Sequence, residues 1–524
     1  MLKEAIDYTR MAAQMPRWIR IPLEPRPADA VRRNLGNRET NFLTLLRRGI
    51  FENPVNPYHE LFQWAGCALG DLEAMVRGNG LEPALERLRQ AGVYLSHDEF
   101  KGKIPVIRGG KQLVVETGSF ANPRVSGVLE SCSSGSRSRG ITTRSSFENQ
   151  AYREAQERVL MAEYESGGRA LVILANILPA LDGIRRVVDY GRRGRPPDKW
   201  FVVGGGFRTS GHYQLVTQFL LLELRALGFP AIFPEFLPHN DFSPIARWIA
   251  HRKREGRPSL LVAGVSRGVR VAASAVALGL DIAGTTFILG GEALTGAKRA
   301  VVENAGCEAH ARYTISELGR VGMGCGGMVG NCVHLCRDSL AVISRRRVAP
   351  LTDVEVDSLM FTALLPSAPH VVVNVEMDDA GILGPARCGC PLTDLGLTQQ
   401  IDKIYSYGKL TGHGTSLLRG DLLNILESKL PARFGGIPAD YQLVELEGAA
   451  QTEIELRVHP RIRSSPEEIK RYFLSEVKRL WSGALTCWVW VRTEGVKVVI
   501  AEPYVTGTHG KVNPLHLLGN AGRK

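Results

Sequence analysis

The sequence predicts an α/β protein: a large layered α/β domain with a helical N-terminal region, then a small mobile α+β domain at the C-terminus. Two patterns carry that reading. Between residues 120 and 405, short apolar runs alternate with helical periodicity, as strands and their crossover helices do. After "YSYGKLTGHG" (Tyr405 to Gly414), a glycine-rich stretch suited to a hinge, the pattern restarts on a smaller scale.

Taken in order, residues 1–120 read as helical and irregular, a region expected to belong to the large domain. There "DLEAMVRGNGLEPALERLRQAG" gives two amphipathic helices broken at Gly78-Asn79-Gly80. Residues 121–407 form the expected core, with strands at "ALVILANI", "KWFVVGGG", "FPAIFP", "SLLVAG", "GTTFILGG" and "HVVVNVEM". Residues 408–524 form the expected lid domain. It has a helix near Asp421 to Ser428, a strand at Glu453 to Val458, a helix from about Pro466 to Trp481, and strands "TCWVWVRT" and "VKVVIAEP".

Composition narrows the function classes. The chain has 524 residues, 44% of them hydrophobic, enough for a substantial core and roughly two to four domains. The longest apolar run, "ALVILANILPAL", is too short to span a bilayer and contains Asn176 and Pro179, so no membrane span is expected. The first residues, "MLKEAIDYTR", lack the apolar stretch of a secretory signal, and cytoplasmic residence is the expectation. The net charge of +12 is spread in short runs such as Arg192 to Arg195 and Arg345 to Arg347, mixed with acids. That distribution suits phosphate-bearing small molecules, and no nucleic-acid partner is expected.

The densest chemistry begins at "SCSSGSRSRG", Ser131 to Gly140. Small residues let backbone N–H groups approach a polyphosphate, and hydroxyls add donors. The same composition would also suit a solvated linker. Glycine clusters then close two expected strands, at Gly204-Gly205-Gly206 and at Gly290-Gly291, the second followed by Glu292. In "RYTISELGRVGMGC", Tyr313 can stack on a base, Thr314 and Ser316 offer hydroxyls, and Glu317 can hold a metal that bridges phosphate oxygens.

The order "SSGSRSRG", "GGEALT", "YTISE", "VEMDDAG", "YGKLTGHG", "GTHGKV" resembles the adenylate-forming (acyl-CoA synthetase-like) superfamily. It is most similar to the phenylacetate–CoA ligases, with the luminescence-type acyl-protein synthetases a second similar branch. The resemblance covers roughly residues 120–524. It implies a two-step acid–thiol ligase (AMP-forming) that uses ATP and Mg²⁺ and passes the acyl group to coenzyme A, a carrier protein or an acyl-reductase partner. In that scheme Ser133, Ser134, Gly135 and Ser136 embrace the β,γ-phosphates and Glu317 holds Mg²⁺. Gly290, Gly291, Glu292 and Tyr313, with Thr314 and Ser316, frame the adenine, and Asp379 binds the ribose. Lys511 bridges the carboxylate and the α-phosphate, and Gly408-Lys409 forms the hinge, with Lys409 close to the nucleotide. The serine loop lacks the usual lysine, whose charge Arg137 and Arg139 would supply; Arg208, His212 and Tyr213 are candidates for an acid-binding wall.

Nine cysteines include a group from Cys325 to Cys390. Cys325, His334, Cys388 and Cys390 would complete a structural zinc shell, a set the resemblance favours, with Cys332 and Cys336 as rival ligands and buried apolar thiols as the plain alternative. A rival enzyme reading starts from Gly264-Val265-Ser266-Arg267-Gly268, a G-x-S-x-G between strand and helix. Ser266 would be an acyl-transfer nucleophile, with Asp338 or Asp379 as the acid and His413 or His509 as the base. A catalytically idle adenylate-forming relative is the remaining alternative.

Overall fold

A computed structural model describes residues 2–125, 128–132, 142–203, 207–238, 241–348, 355–406, 419–447, 452–479, 496–505 and 511–518. Six helices of eight or more residues lead the chain, from Leu2–Ile19 to Leu81–Gln90. The last two meet at Gly80, whose φ of 82° is a turn that glycine makes without steric cost. A short hairpin that the sequence did not announce follows, β1 (Val106–Arg108) against β2 (Lys111–Leu113). Next, β3 (Val128–Cys132) pairs antiparallel with β4 (Thr142–Ser146), Cys132 opposite Thr142. The serine-rich stretch therefore connects two paired strands of one hairpin, although residues 133–141 themselves lie outside the described residues.

The core is one twelve-stranded sheet. Its parallel half holds β5 (Ala170–Leu174), β6 (Lys199–Val203), β7 (Glu235–Leu237), β8 (Ser259–Gly264), β9 (Thr286–Gly290) and β10 (Glu308–Ile315). Its antiparallel half holds β11 (Gly319–Met323), β12 (Val333–Leu335), β13 (Leu340–Val348), β14 (Glu355–Ala363), β15 (Val375–Pro385) and β16 (Gln399–Ser406). The spatial order is β13-β14-β15-β16-β12-β11-β10-β9-β8-β5-β6-β7. From β5 the chain first builds outward through β6 and β7, then returns to β8 on the other side, so the β5–β8 boundary is a switch point of the kind where α/β sheets form crevices.

Strand periodicity explains the double core. Leu171 and Ile173 of β5 face one apolar cluster with Trp200, Leu260 and Leu160, while Val172 and Leu174 face another with Phe201, Leu261 and Val269. Both faces are covered, so these strands read as continuous apolar runs rather than as alternating ones.

Two expected strands are corrected. "FPAIFP" is not a strand: the strand begins only after it, at Glu235, because Pro230 and Pro234 cannot donate to a ladder. In "HVVVNVEM" the strand starts at Val375, and Val371 to Val373 belong to a fully buried connection whose Val371 N–H donates to the Phe120 carbonyl at 2.8 Å. Its apolar character comes from lying under the N-terminal helices, not from pairing in the sheet.

The last part has its own four-stranded sheet, order β19-β18-β17-β20, from β17 (Tyr441–Glu447), β18 (Thr452–Val458), β19 (Val496–Ile500) and β20 (Leu515–Leu518). The helix Pro466–Lys478, capped by Ser465, lays Ile469, Phe473 and Val477 on Ile425, Tyr441 and Leu456. "TCWVWVRT" lies outside the described residues. Among the described residues no helix is long and apolar enough to cross a membrane.

Candidate functional site

The site begins where β9 ends. Gly290 pairs with Arg312 of β10, so closely that a Cβ on Gly290 would sit 2.6 Å from the Arg312 carbonyl oxygen. Gly291 then turns with φ +83°, and a Cβ there would lie 3.3 Å from Lys511 Cε and 3.7 Å from its Nζ. A lysine from the far end of the chain thus lies over the glycine turn. Two glycines are needed here, one for close approach and one for the left-handed turn.

Glu292, the next residue, points its carboxylate at the β8–helix turn. Its Oε2 accepts from Ser266 Oγ at 2.5 Å and its Oε1 from Ser266 N at 3.5 Å. The Ser266 hydroxyl is also 3.5 Å from the Val512 carbonyl, which ties the turn to the residue after Lys511. One strand over, Tyr313 OH donates to Asp379 Oδ2 at 2.6 Å. Burial and then the Asp379 carboxylate push the Tyr313 hydroxyl well above its ordinary range, so it keeps its proton and donates. Asp378 does not share this role. Its φ of 59° turns it towards His97, whose Nδ1 is 3.2 Å from Asp378 Oδ2.

Glu317 sits in the β10–β11 turn, 5% exposed, with its carboxylate 2.5 Å from Lys101 Nζ and its carbonyl accepting from His370 Nδ1 at 2.9 Å. Thr314 and Ser316 beside it are exposed. The Lys101 contact spans 216 residues, so no local sequence pattern could have revealed it. Ser133, Ser134, Gly135, Ser136, Arg137, Arg139, Gly204, Gly205, Gly206, Gly408, Lys409, His413 and His509 lie outside the described residues, as does the Arg208 side chain. The His212 and Tyr213 rings lie 3.8 Å apart, tilted by 41°, on the helix Phe207–Ala226, with Tyr8 edge-on to Tyr213.

Among the described residues no serine-nucleophile constellation surrounds Ser266; the proposed bases His413 and His509 lie outside them. The serine is 1% exposed and its partner is a carboxylate. Asp338 is buried elsewhere, accepting from Tyr152 OH and from Gln156 at 2.7 Å, and Asp379 is engaged by Tyr313. Gly268 is explained by packing: a Cβ there would come 2.4 Å from Leu289.

A second centre lies near the end of β12. One ligand atom each from Cys325, His334, Cys388 and Cys390 falls within 4.8 Å of all the others. His334 Nε2 is 3.2 Å from Cys388 Sγ and 3.1 Å from Cys390 Sγ, and the two sulfurs are 3.5 Å apart. A tetrahedral zinc site has ligand–ligand edges of roughly 3.5–3.8 Å, so the cluster would have to spread by a few tenths of an ångström at His334 to take the metal. His334 Nδ1 faces the Leu397 carbonyl at 2.9 Å, which fixes the ring and leaves Nε2 for a metal. Burial pushes the His334 imidazole below its ordinary value, favouring the neutral form that ligates. The rivals Cys332 and Cys336 are buried but fall outside this group.

No family model and no curated protein sequence matches the chain. Among solved structures it is similar to a 2-hydroxyisobutyryl-CoA ligase in complex with 2-HIB-AMP and CoA, at 13% identity over 96% of this chain and 92% of that one, TM-score 0.46. It is also similar to the anthranilate CoA ligase AuaEII in complex with anthranoyl-AMP (10% identity, 94% and 96% covered, TM-score 0.40). A third is ATP-bound MatB from Rhodopseudomonas palustris (14%, 74% and 66%, TM-score 0.40). At these scores the likenesses assign this chain no activity.

Proposed function

We propose that the chain is an ATP-dependent acid–thiol ligase. In the first step a carboxylate oxygen attacks the α-phosphorus of ATP and the α–β anhydride bond breaks, giving acyl-adenylate and pyrophosphate. In the second a thiol sulfur attacks the acyl carbon, the acyl–phosphate bond breaks, AMP leaves, and the thiol proton passes to solvent.

The observation that carries this reading is Lys511 lying over Gly291. A cation at a turn without side chains can meet a phosphate and a carboxylate together, where negative charge builds in the first step. Tyr313 and Asp379 supply an aromatic face and a carboxylate suited to a nucleoside. Glu317 would take Mg²⁺ only by giving up Lys101, so metal binding and the release of that lysine would be coupled.

The motif order favours the phenylacetate–CoA ligase branch, with coenzyme A or a protein thiol as acceptor. The test is pyrophosphate release across aryl and fatty acids, with and without coenzyme A. Acid-dependent release is expected; ATP turnover that no acid stimulates would remove the reading.

Cys325, His334, Cys388 and Cys390 would hold zinc as a closed structural site. Purified without chelator, the protein should contain close to one zinc per chain. Stripping it should lower thermal stability while changing ATP affinity by less than about threefold, because four protein ligands leave no position for substrate. A metal-free preparation of unchanged stability would leave the cysteines as core residues.

A further inference from the structure

The carboxyl ends of β5, β8 and β9 stand side by side at the switch point of the large sheet. Asn176 follows β5, Ser266 and Arg267 open the helix Val265–Ala277 after β8, and Glu292 follows β9. Arg267 Nη1 donates to Asn176 Oδ1 at 2.7 Å, a bond that joins the ends of β5 and β8 where an α/β sheet opens its crevice. The Asn176 end is itself fixed, because the Ala175 carbonyl before it accepts from Trp200 Nε1 at 2.9 Å.

The rest of the Arg267 fork is uncommitted. The residue is 7% exposed, yet among the described residues no carboxylate pairs with it, and the nearby Glu292 is engaged by Ser266. Its Nε and Nη2 make no hydrogen bond among the described residues, and they are not sealed from solvent. Burial pushes the guanidinium down to about 10, with Asp182 and Glu292 pulling the other way, so it keeps its charge at neutral pH.

Nε and Nη2 form one edge of a guanidinium, with N–H bonds that run parallel and match the two oxygens of a carboxylate. A charged fork held by its third nitrogen and open along that edge is preorganised for such a group. Its place says what would bring the group. Ser266, the residue before it, touches Glu292 and lies against the Val512 carbonyl, one residue from Lys511. Under the proposed function Lys511 meets the reacting carboxylate, so a second anion on the same rim is carried by the acid itself.

We propose that Arg267 receives a second carboxylate of the substrate, which makes the substrates dicarboxylic acids. The proposal deepens the ligase reading and rests on it.

The test uses the full chain and a series of dicarboxylic acids of increasing length, each matched with the monocarboxylic acid of equal length. Acid-dependent pyrophosphate release is measured with ATP and Mg²⁺, and thermal shift is measured separately without nucleotide. At least one dicarboxylic acid should exceed its match in kcat/KM by about tenfold or more, since a site built to pair with a polar group rejects the analogue lacking it. Arg267→Met should cut that ratio at least tenfold, and Arg267→Lys should restore only part of it, because an ammonium has no fork. A ratio within one variant cancels any loss of folded protein. Where no acid releases pyrophosphate the ligase reading falls, and the thermal shift alone then decides whether Arg267 binds a dicarboxylate. Equal treatment of the matched acids by the parental protein, or a preference that survives Arg267→Met, overturns the proposal. So does stabilisation by inorganic phosphate that Arg267→Met removes, which would assign the fork to a phosphate.

Discussion

Replacing Lys511 by Ala should abolish adenylate formation while leaving transfer from a supplied acyl-adenylate to the thiol largely intact. The lysine comes from outside the large sheet, and it lies over Gly291. Removing a preorganised charge contact to a developing phosphate charge costs on the order of 100-fold or more, about 2.7 kcal/mol in the barrier. The two half-reactions separate this role from a structural one, since misplacement of the whole C-terminal sheet would depress both. Acid-dependent pyrophosphate release at the parental rate in Lys511→Ala would remove Lys511 from the mechanism. Arg in place of Lys is not expected to rescue, because its planar fork cannot act as a compact point charge in the same space.

The second large effect concerns stability. Lys298, in the helix Gly296–Glu303, is 3% exposed and meets Glu427 of the C-terminal part, also 3% exposed, at 3.0 Å. Thr295 Oγ1 donates to the other Glu427 oxygen at 2.5 Å. Burial alone would push the Lys298 ammonium down, yet the Glu427 and Glu292 carboxylates outweigh it and hold it above its ordinary value.

Glu427→Ala leaves that ammonium with Glu292 alone, 3.9 Å away. Breaking a buried pair from one side typically costs about 3–5 kcal/mol, whereas replacing both partners by apolar groups is often nearly neutral. Denaturant unfolding should therefore show a large loss for Glu427→Ala and recovery in Lys298→Met/Glu427→Met. A single-variant loss below about 1 kcal/mol would mean that water reaches the pair.

The same pair bears on domain motion. In this arrangement Lys298–Glu427 and Ser266–Val512 both join the large sheet's helices to the C-terminal part. Any rotation about the expected hinge must break a buried ion pair, so Glu427→Ala should also loosen the docked arrangement. Faster amide exchange in β17 and β20 would report it.

Much of the parallel half was legible because strands covered on both faces carry uninterrupted apolar runs: β5, β6, β8 and β9 each announced themselves. The same signal misled at Val371 to Val373, where burial came from the N-terminal helices instead of a ladder. The antiparallel half was harder to read. β13 runs from Leu340 to Ile343 in the core and then out through Arg345, Arg346 and Arg347, so no single period describes it.

Of the candidate site, the glycine turn, Tyr313, Asp379 and the Cys325, His334, Cys388 and Cys390 group were proposed from local motifs, and the structure brings Tyr313 to Asp379 and gathers the four side chains. The partners of Glu317 and Lys298 were not legible, because each comes from a segment more than a hundred residues away.

The ends of the twelve-stranded sheet carry a last consequence. Among the described residues nothing pairs with the outer edges of this sheet, and such edges could template a neighbouring molecule. One border, β7, is three residues long and begins with an exposed glutamate. The other, β13, ends in three arginines, of which Arg346 reaches Glu355 at 2.5 Å and Arg347 reaches Glu376 at 2.5 Å. A strand from another chain docking there would have to strip water from these guanidiniums or meet their charge head on. The borders are thus built to refuse company, and neutralising Arg345 to Arg347 would invite the chain to polymerise along its own sheet.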